Sequence, residues 1–357
     1  MDEKNQTTGA PAASEADVLL DVQDLKVSYH TYAGVVQSVR GVSFSLEPGG
    51  TLAIVGESGC GKSVSAKAIM GLVKDPGVVD PQSHIVFKGR DTATFSKEDW
   101  RSYKGGSASM IFQEALSALD PTTRVGKQIT EAILAHEKVS KEEAKKRAIE
   151  LLREVGIPEP ERRFRQFPHE LSGGMRQRVM ISIAFACNPE LLICDEPTTA
   201  LDVTIQDQIL SEIREMQRRH GTAVIMITHD MGVVADIARD MVVMYSGLIV
   251  ERGSVADIFA HPRHPYTKAL LAAVPRVDQS RSDELAAIQG TPPDLINPPT
   301  GCPFCTRCPY RMDACTKVMP PETDFGSGRR ASCWLHDERS PRVDEVIQAA
   351  KEEGGVR

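Results

Sequence analysis

Long apolar runs are missing from this sequence. The longest nearly apolar stretch, Val179–Cys187 (VMISIAFAC), contains a serine and ends after nine residues, whereas a bilayer-spanning helix needs about 20. A basic excess is missing too. Of 357 residues, 42 are Lys or Arg and 49 are Asp or Glu, a net charge of −7, and a surface that grips nucleic acid announces itself as clustered positive charge. The opening residues (MDEKNQTTGAPAASEAD) carry neither the basic region nor the apolar core of a secretory signal. These absences predict a chain that stays in the cytoplasm, crosses no membrane and binds no nucleic acid. No internal repeat is present. Wholesale disorder is excluded, because 41% hydrophobic and 25% charged residues suit a folded chain.

What is present has a clear order. At about 150 residues per domain the length predicts two or three domains. Residues 1–16 read as a disordered tail. From Val18 to Leu46, β-type stretches such as VSFSL (42–46) alternate apolar and polar residues, the period of a half-buried antiparallel layer. Continuous apolar runs follow, each ending abruptly in a polar residue: TLAIV before Gly56, LLIC before Asp195, AVIMIT before His229. Such runs suit parallel strands buried on both faces. Between the first two lie helical patterns, among them Lys141–Glu154, where Ala144, Ala148, Leu151 and Leu152 share a face. This predicts an α/β domain over residues 17–275 with a helical subdomain at about 115–188. Eight of the 22 prolines then fall between Pro292 and Pro321. That texture predicts a small loop-rich C-terminal domain at 276–340 that needs an external staple, followed by a tail at 341–357.

Three motifs carry chemistry. Gly56–Ser63 (GESGCGKS) fits the phosphate loop G-x-x-x-x-G-K-[ST], and it follows a strand and opens a helix as that loop must. Its amides would curl around phosphates, Lys62 would meet the β- and γ-phosphates, and the Ser63 hydroxyl suits Mg2+. Leu191–Pro197 (LLICDEP) delivers two carboxylates to a strand end, where ligands collect in α/β sheets. Asp195 would hold the metal and Glu196 would orient or deprotonate the attacking water. Leu171–Met175 (LSGGM) places Ser172 as an N-cap and two glycines at a helix start, which exposes amides to an anion.

In that order, these motifs resemble the nucleotide-binding subunit of ATP-binding cassette (ABC) transporters, over roughly residues 18–260. The resemblance implies a P-loop NTPase fold with a RecA-like core, an antiparallel β subdomain and a helical subdomain. It implies ATP and Mg2+ as ligands. Nucleotide would contact Gly56, Glu57, Ser58, Gly59, Cys60, Gly61, Lys62, Ser63 and Val64, with Gln113 and Asp195. Tyr29 would stack on adenine, although Tyr32 competes for that role. Ser63, Gln113 and Asp195 would surround Mg2+, while Lys62, Gln113, Glu196 and His229 carry catalysis. Leu171, Ser172, Gly173, Gly174 and Met175 would close over nucleotide held by another subunit, and Asp202 (TTALD) would lie at the inter-subunit loop. Ala115 stands where many relatives have proline, and Cys60 where serine is frequent.

Four further stretches (167–178, 201–210, 261–275 and 290–304) are similar to the ATPase subunits of bacterial dipeptide, oligopeptide and nickel importers. They imply a sister ATPase, two membrane permease subunits, an external substrate-binding protein and a peripheral position on the cytoplasmic face of the plasma membrane. A nickel or other small-solute importer stays open as cargo class. A soluble ABC ATPase without transport is disfavoured by the single cassette and acidic balance. The cysteines at 302, 305, 308, 315 and 333 read C-x2-C-x2-C-x6-C-x17-C, one more than a four-thiolate site needs. Spacing alone leaves zinc and iron–sulfur open. The subfamily's pattern maps onto Cys302, Cys308, Cys315 and Cys333, leaving Cys305 over, and tilts the reading to [4Fe–4S] with Zn2+ as the alternative. HPRHP (261–265) reads as turns leading into a helix, not as metal ligands.

Overall fold

The computed structural model describes residues 18–113, 118–199, 202–274 and 288–338. The expected tails at 1–16 and 341–357, Ala115 at the start of the helical insertion, and the boundaries at 275/276 and 340 lie outside the described residues.

A mixed sheet organises the molecule. Its parallel part runs Asp240–Tyr245, Thr51–Val55, Ala223–Thr228, Leu191–Asp195, Ala108–Ile111 across neighbouring strands. The three apolar runs of the sequence sit at its centre. Every residue of Leu191–Asp195 and of Ala223–Thr228 is buried, which is why these strands carry no polar alternation. Because Thr51, Leu191 and Ala223 begin strands that point the same way, Gly56, Asp195 and His229 emerge at one edge. That shared edge is what assembles the site.

A second, antiparallel sheet pairs Leu20–Thr31 with Gly34–Leu46 in the register Leu20↔Leu46, and adds His84–Phe87 on the other side of Leu20–Thr31. The alternation expected in VSFSL appears directly: Val42, Phe44 and Leu46 are buried, and Ser43 and Ser45 exposed. The helical layer comprises Val125–His136, Lys141–Glu154 and Gly173–Ala184. Ala144, Ala148, Leu151 and Leu152 bury the predicted face against Ile129, Ile133 and Val179. Ser140 accepts from the Glu143 amide and starts the second of these helices.

The described C-terminal residues do not stand off from the cassette. The strands Glu322–Asp324 and Arg330–Ser332 extend the mixed sheet through Leu248–Ser254. Cys302, Phe304, Cys305 and Cys315 share one apolar cluster with Ala53, Val55, Tyr245 and Tyr266. Phe304 is fully buried, a contribution of roughly 1.5–3 kcal/mol. The Gln37 amide also donates to Leu295 O at 2.9 Å, laying the proline-rich segment along Gly34–Leu46.

Candidate active site

The phosphate loop connects Thr51–Val55 to the helix Lys62–Ile69. Glycine is required at both ends of its curl. Gly56 has φ 152°, and a Cβ there would lie 2.2 Å from Met244 O; Gly61 has φ 105°, and a Cβ would lie 2.5 Å from Ser38 O. Lys62 Nζ donates to Gly56 O at 2.7 Å and to Glu57 O at 3.0 Å, spanning the loop. Cys60 is buried beneath it. Burial pushes its thiol up, which suits a passive filler better than a reactive group.

Ser63 Oγ donates to Asp195 Oδ1 at 2.8 Å. Burial pushes the Asp195 carboxyl up, and the Ser63 hydroxyl opposes that shift. A hydroxyl and a carboxylate together form a hard oxygen donor set that fits Mg2+. Glu196 follows in a left-handed conformation, φ 47°, uncommon for a residue with a side chain and frequent at functional sites. Its Oε2 is a meeting point. Gln113 Nε2 donates to it at 3.1 Å, Thr199 Oγ1 donates at 3.0 Å, and His229 Nδ1 stands 3.6 Å away.

These groups share one cavity of about 720 Å3, lined by Ser58, Gly59, Gly61, Lys62, Ser63, Val64, Gln113, Glu196 and His229, and also by Val36, Ser38 and Leu295. Its volume lies in the range of sites for ligands of nucleotide size. The last three residues were not anticipated from the sequence. Val36 and Ser38 come from the β subdomain and Leu295 from the C-terminal segment, so only long-range folding brings them here.

Other predicted residues lie elsewhere. The Tyr29 ring is half-buried against the β-subdomain core, close to Gly77, and does not line the cavity. Tyr32 is the fully exposed tyrosine. Glu57 gives both carboxylate oxygens to Arg307 and does not line the cavity. Ser172 caps Gly173–Ala184, accepting from the Met175 amide at 3.4 Å. Leu171 is buried, Ser172 and Gly173 are exposed, and none of Leu171–Met175 reaches this chain's own cavity. Gln177, on the same helix, donates to Pro197 O just after Glu196. Asp202 caps Val203–His220 by accepting from the Ile205 amide at 3.0 Å.

The cysteines at 302, 305, 308, 315 and 333 surround a second, much smaller cavity of about 10 Å3, together with Phe304 and His264. All five are free thiols. Burial, with neighbouring sulfurs adding to it, raises Cys302 and Cys308 to about 12 and Cys333 to about 11. The expected four-cysteine coordination shell is nevertheless not closed: among the described residues no three His, Cys, Asp or Glu side chains stand arranged to hold a metal ion. His264 also departs from a simple turn. It is buried, its Nδ1 accepts from the Tyr266 amide at 3.1 Å, and its Nε2 has no partner. Burial pushes this imidazole down to about 3, so it is neutral with its proton on Nε2.

A phosphate loop, a strand-end Asp-Glu pair and a histidine around one cavity at the edge of a parallel sheet define an ATPase of the ABC cassette class. The residues 39–199 match the ABC transporter family model, and 250–315 match the model of the oligopeptide/dipeptide transporter C-terminal region. Dipeptide transport ATP-binding protein DppD of Bacillus subtilis is 52% identical over 90% of this chain and 96% of its own length. Oligopeptide transport ATP-binding protein OppD of the same organism is 52% identical over 93% of each chain, and OppD of Salmonella typhimurium is 45% identical over 92% and 96%. Among solved structures, cbiO1 from Clostridium perfringens, part of the ABC transporter complex cbiONQ, superposes with a TM-score of 0.59 at 26% identity, covering 69% of this chain and 92% of its own. A dimeric cassette bound to ADP and Pi gives the same TM-score at 23% identity, covering 66% and 98%. The chain belongs to the ABC transporter ATP-binding family, in its oligopeptide/dipeptide group, and hydrolyses ATP. None of its described helices is long and apolar enough to cross a membrane.

Proposed function

We propose that this chain is the ATP-hydrolysing subunit of a bacterial importer that energises peptide uptake through two membrane permease subunits, fed by an external substrate-binding protein. It would sit on the cytoplasmic face of the plasma membrane beside a sister ATPase. The cargo rests on the names of its relatives, which are dipeptide and oligopeptide transport proteins. The chemistry rests on one observation: Gln113, Thr199 and His229 converge on Glu196 Oε2 at the wall of the cavity that the phosphate loop also lines.

Phosphoryl transfer needs positioning and charge stabilisation more than covalent work. Lys62 and the loop amides would bind the β- and γ-phosphates, with Ser63 and Asp195 presenting oxygen donors beside them. Mg2+ held there would spread charge over the phosphate oxygens. Glu196 would accept the proton of the attacking water, while Gln113 and Thr199 fix its orientation and His229 faces the γ-phosphate. The exposed Ser172 and Gly173 at the start of Gly173–Ala184 offer helix-start amides to nucleotide on another subunit, which supports a two-chain site. Glu196→Gln in the assembled transporter is expected to retain ATP and hydrolyse it at least 100-fold more slowly, in line with losses of about 10²–10³ for removal of one catalytic group. Undiminished turnover would refute the role.

The cysteine cavity is lined by sulfur donors of the kind a thiophilic group takes, although they do not stand in a closed shell. Burial, with neighbouring sulfurs adding to it, raises Cys302, Cys308 and Cys333, a penalty that a cation relieves, and the unpartnered Nε2–H of His264 suits sulfur anions. We read Cys302, Cys308, Cys315 and Cys333 as holding a [4Fe–4S] cluster of structural role. The small volume favours a second reading, a single Zn2+, which enters with less spreading of the walls.

A further inference from the structure

Arg307 lies between Cys305 and Cys308 in the sequence, 250 residues from Glu57 of the phosphate loop. The two form a forked ion pair: Nη1 donates to Glu57 Oε2 at 2.7 Å and Nη2 to Oε1 at 2.9 Å. The arginine is otherwise fully engaged. Nε donates to Gln289 O at 2.9 Å, Nη2 to Ile288 O at 3.1 Å and Nη1 to Tyr245 Oη at 3.1 Å. Its side chain is 3% exposed. A guanidinium immobilised this way is a rigid two-pronged clamp, which a lysine does not reproduce.

What it clamps decides the consequence. The Glu57 backbone amide donates to Tyr266 Oη at 2.8 Å, and the Glu57 carbonyl accepts from Lys62 Nζ at 3.0 Å. Every polar group of Glu57 is therefore held, and one of its holders is the phosphate-binding ammonium. The same C-terminal segment also sends Leu295 into the wall of the nucleotide cavity, fixed by the Gln37–Leu295 backbone bond.

We propose that Arg307 is a positioning residue of the nucleotide site: through Glu57 it holds the opening turn of the phosphate loop and Lys62 in phosphate-receiving geometry, so that the cysteine-lined C-terminal module sets affinity for nucleoside triphosphate. This rests on the nucleotide-binding reading of Gly56–Val64. Removing the fork from either side frees the opening turn of the loop and with it the Glu57 carbonyl that holds Lys62. The loss falls on binding, because neither Glu196 nor its three partners touch Arg307.

The test titrates the full-length chain with MgATP by calorimetry and measures turnover in the assembled transporter. Arg307→Ala and Glu57→Gln are each expected to raise the ATP Kd about tenfold, the scale of one charge-assisted contact. KM should rise in parallel while kcat stays within about twofold, and Arg307→Lys should fall between. The double variant should bind no worse than the weaker single one, the signature of a shared contact. Urea midpoints separate loop positioning from simple destabilisation, and Arg307→Lys with Glu57→Gln carry the test if Arg307→Ala does not fold. Kd values within twofold of wild type in these variants, or independent losses in the double variant, overturn the proposal. Failure of the wild-type chain to bind ATP would instead overturn the site reading beneath it.

Discussion

Gln113 Nε2 lies 3.1 Å from Glu196 Oε2 across 83 residues of sequence. The glutamine comes just after Ala108–Ile111 and the glutamate just after Leu191–Asp195, neighbouring parallel strands in register. Their contact is a direct result of sheet order. It places an amide donor on the oxygen of Glu196 that also accepts from Thr199 and stands near His229.

Thr199 adds a catalytic-loop contact that the motifs alone do not reveal. Thr199→Val keeps the shape and removes the donor to Glu196. Turnover in the assembled transporter should fall about 5- to 30-fold with ATP affinity unchanged, matching roughly 1–2 kcal/mol for one hydrogen bond to a charged group. Equal turnover in steady-state assays would show that Glu196 is oriented without it.

Asp195 is held against its preference. Its folded-state ionisation is raised by burial, so the charged form costs stability that is regained as pH falls through the raised value. Asp195→Asn keeps an acceptor for Ser63 and removes the charge. The nucleotide-free chain should gain stability at neutral pH while Mg2+-dependent ATP binding is lost. A lower melting temperature for this variant would contradict that view of the site.

Glu212, on Val203–His220, pairs with Arg178 of Gly173–Ala184 at 2.8 Å, and its other oxygen is buried without a partner. Burial outweighs the arginine and pushes this carboxyl up to about 7. A raised carboxyl contributes stability below its unfolded value that drains away as pH climbs through the folded one. Urea unfolding should thus show a loss on the order of 1–3 kcal/mol between pH 5 and pH 8 that Glu212→Gln abolishes. The same slope in wild type and variant would place the titration elsewhere.

Metal content decides the nature of the cysteine module. Anaerobically purified protein should be brown, with about four iron and four sulfide per chain, and Cys308→Ser should bleach it. A colourless preparation with one zinc per chain would replace the cluster by the single-ion site.

Much of this molecule was legible in its residues. TLAIV, LLIC and AVIMIT revealed buried parallel strands because a strand covered on both faces has no polar alternation, and the phosphate loop was legible because glycines at Gly56 and Gly61 answer a backbone demand. Tyr29 was harder. A tyrosine in a strand fits packing and stacking equally well, and its ring went to the β-subdomain core. Arg307, Leu295 and Thr199 escaped because each matters only through partners brought close by folding. His264 was half legible: HPRHP did lead into a helix, but its unpartnered Nε2 depends on depth of burial, which spacing does not encode.

The hairpin Glu322–Asp324/Arg330–Ser332 completes the border of the mixed sheet beside Leu248–Ser254. During synthesis that border is therefore bare while some seventy further residues emerge from the ribosome, leaving Glu251 and Arg252 without their partner strand. A product cut short before residue 322 keeps the whole phosphate loop yet exposes an open strand, the kind of template on which chains stack.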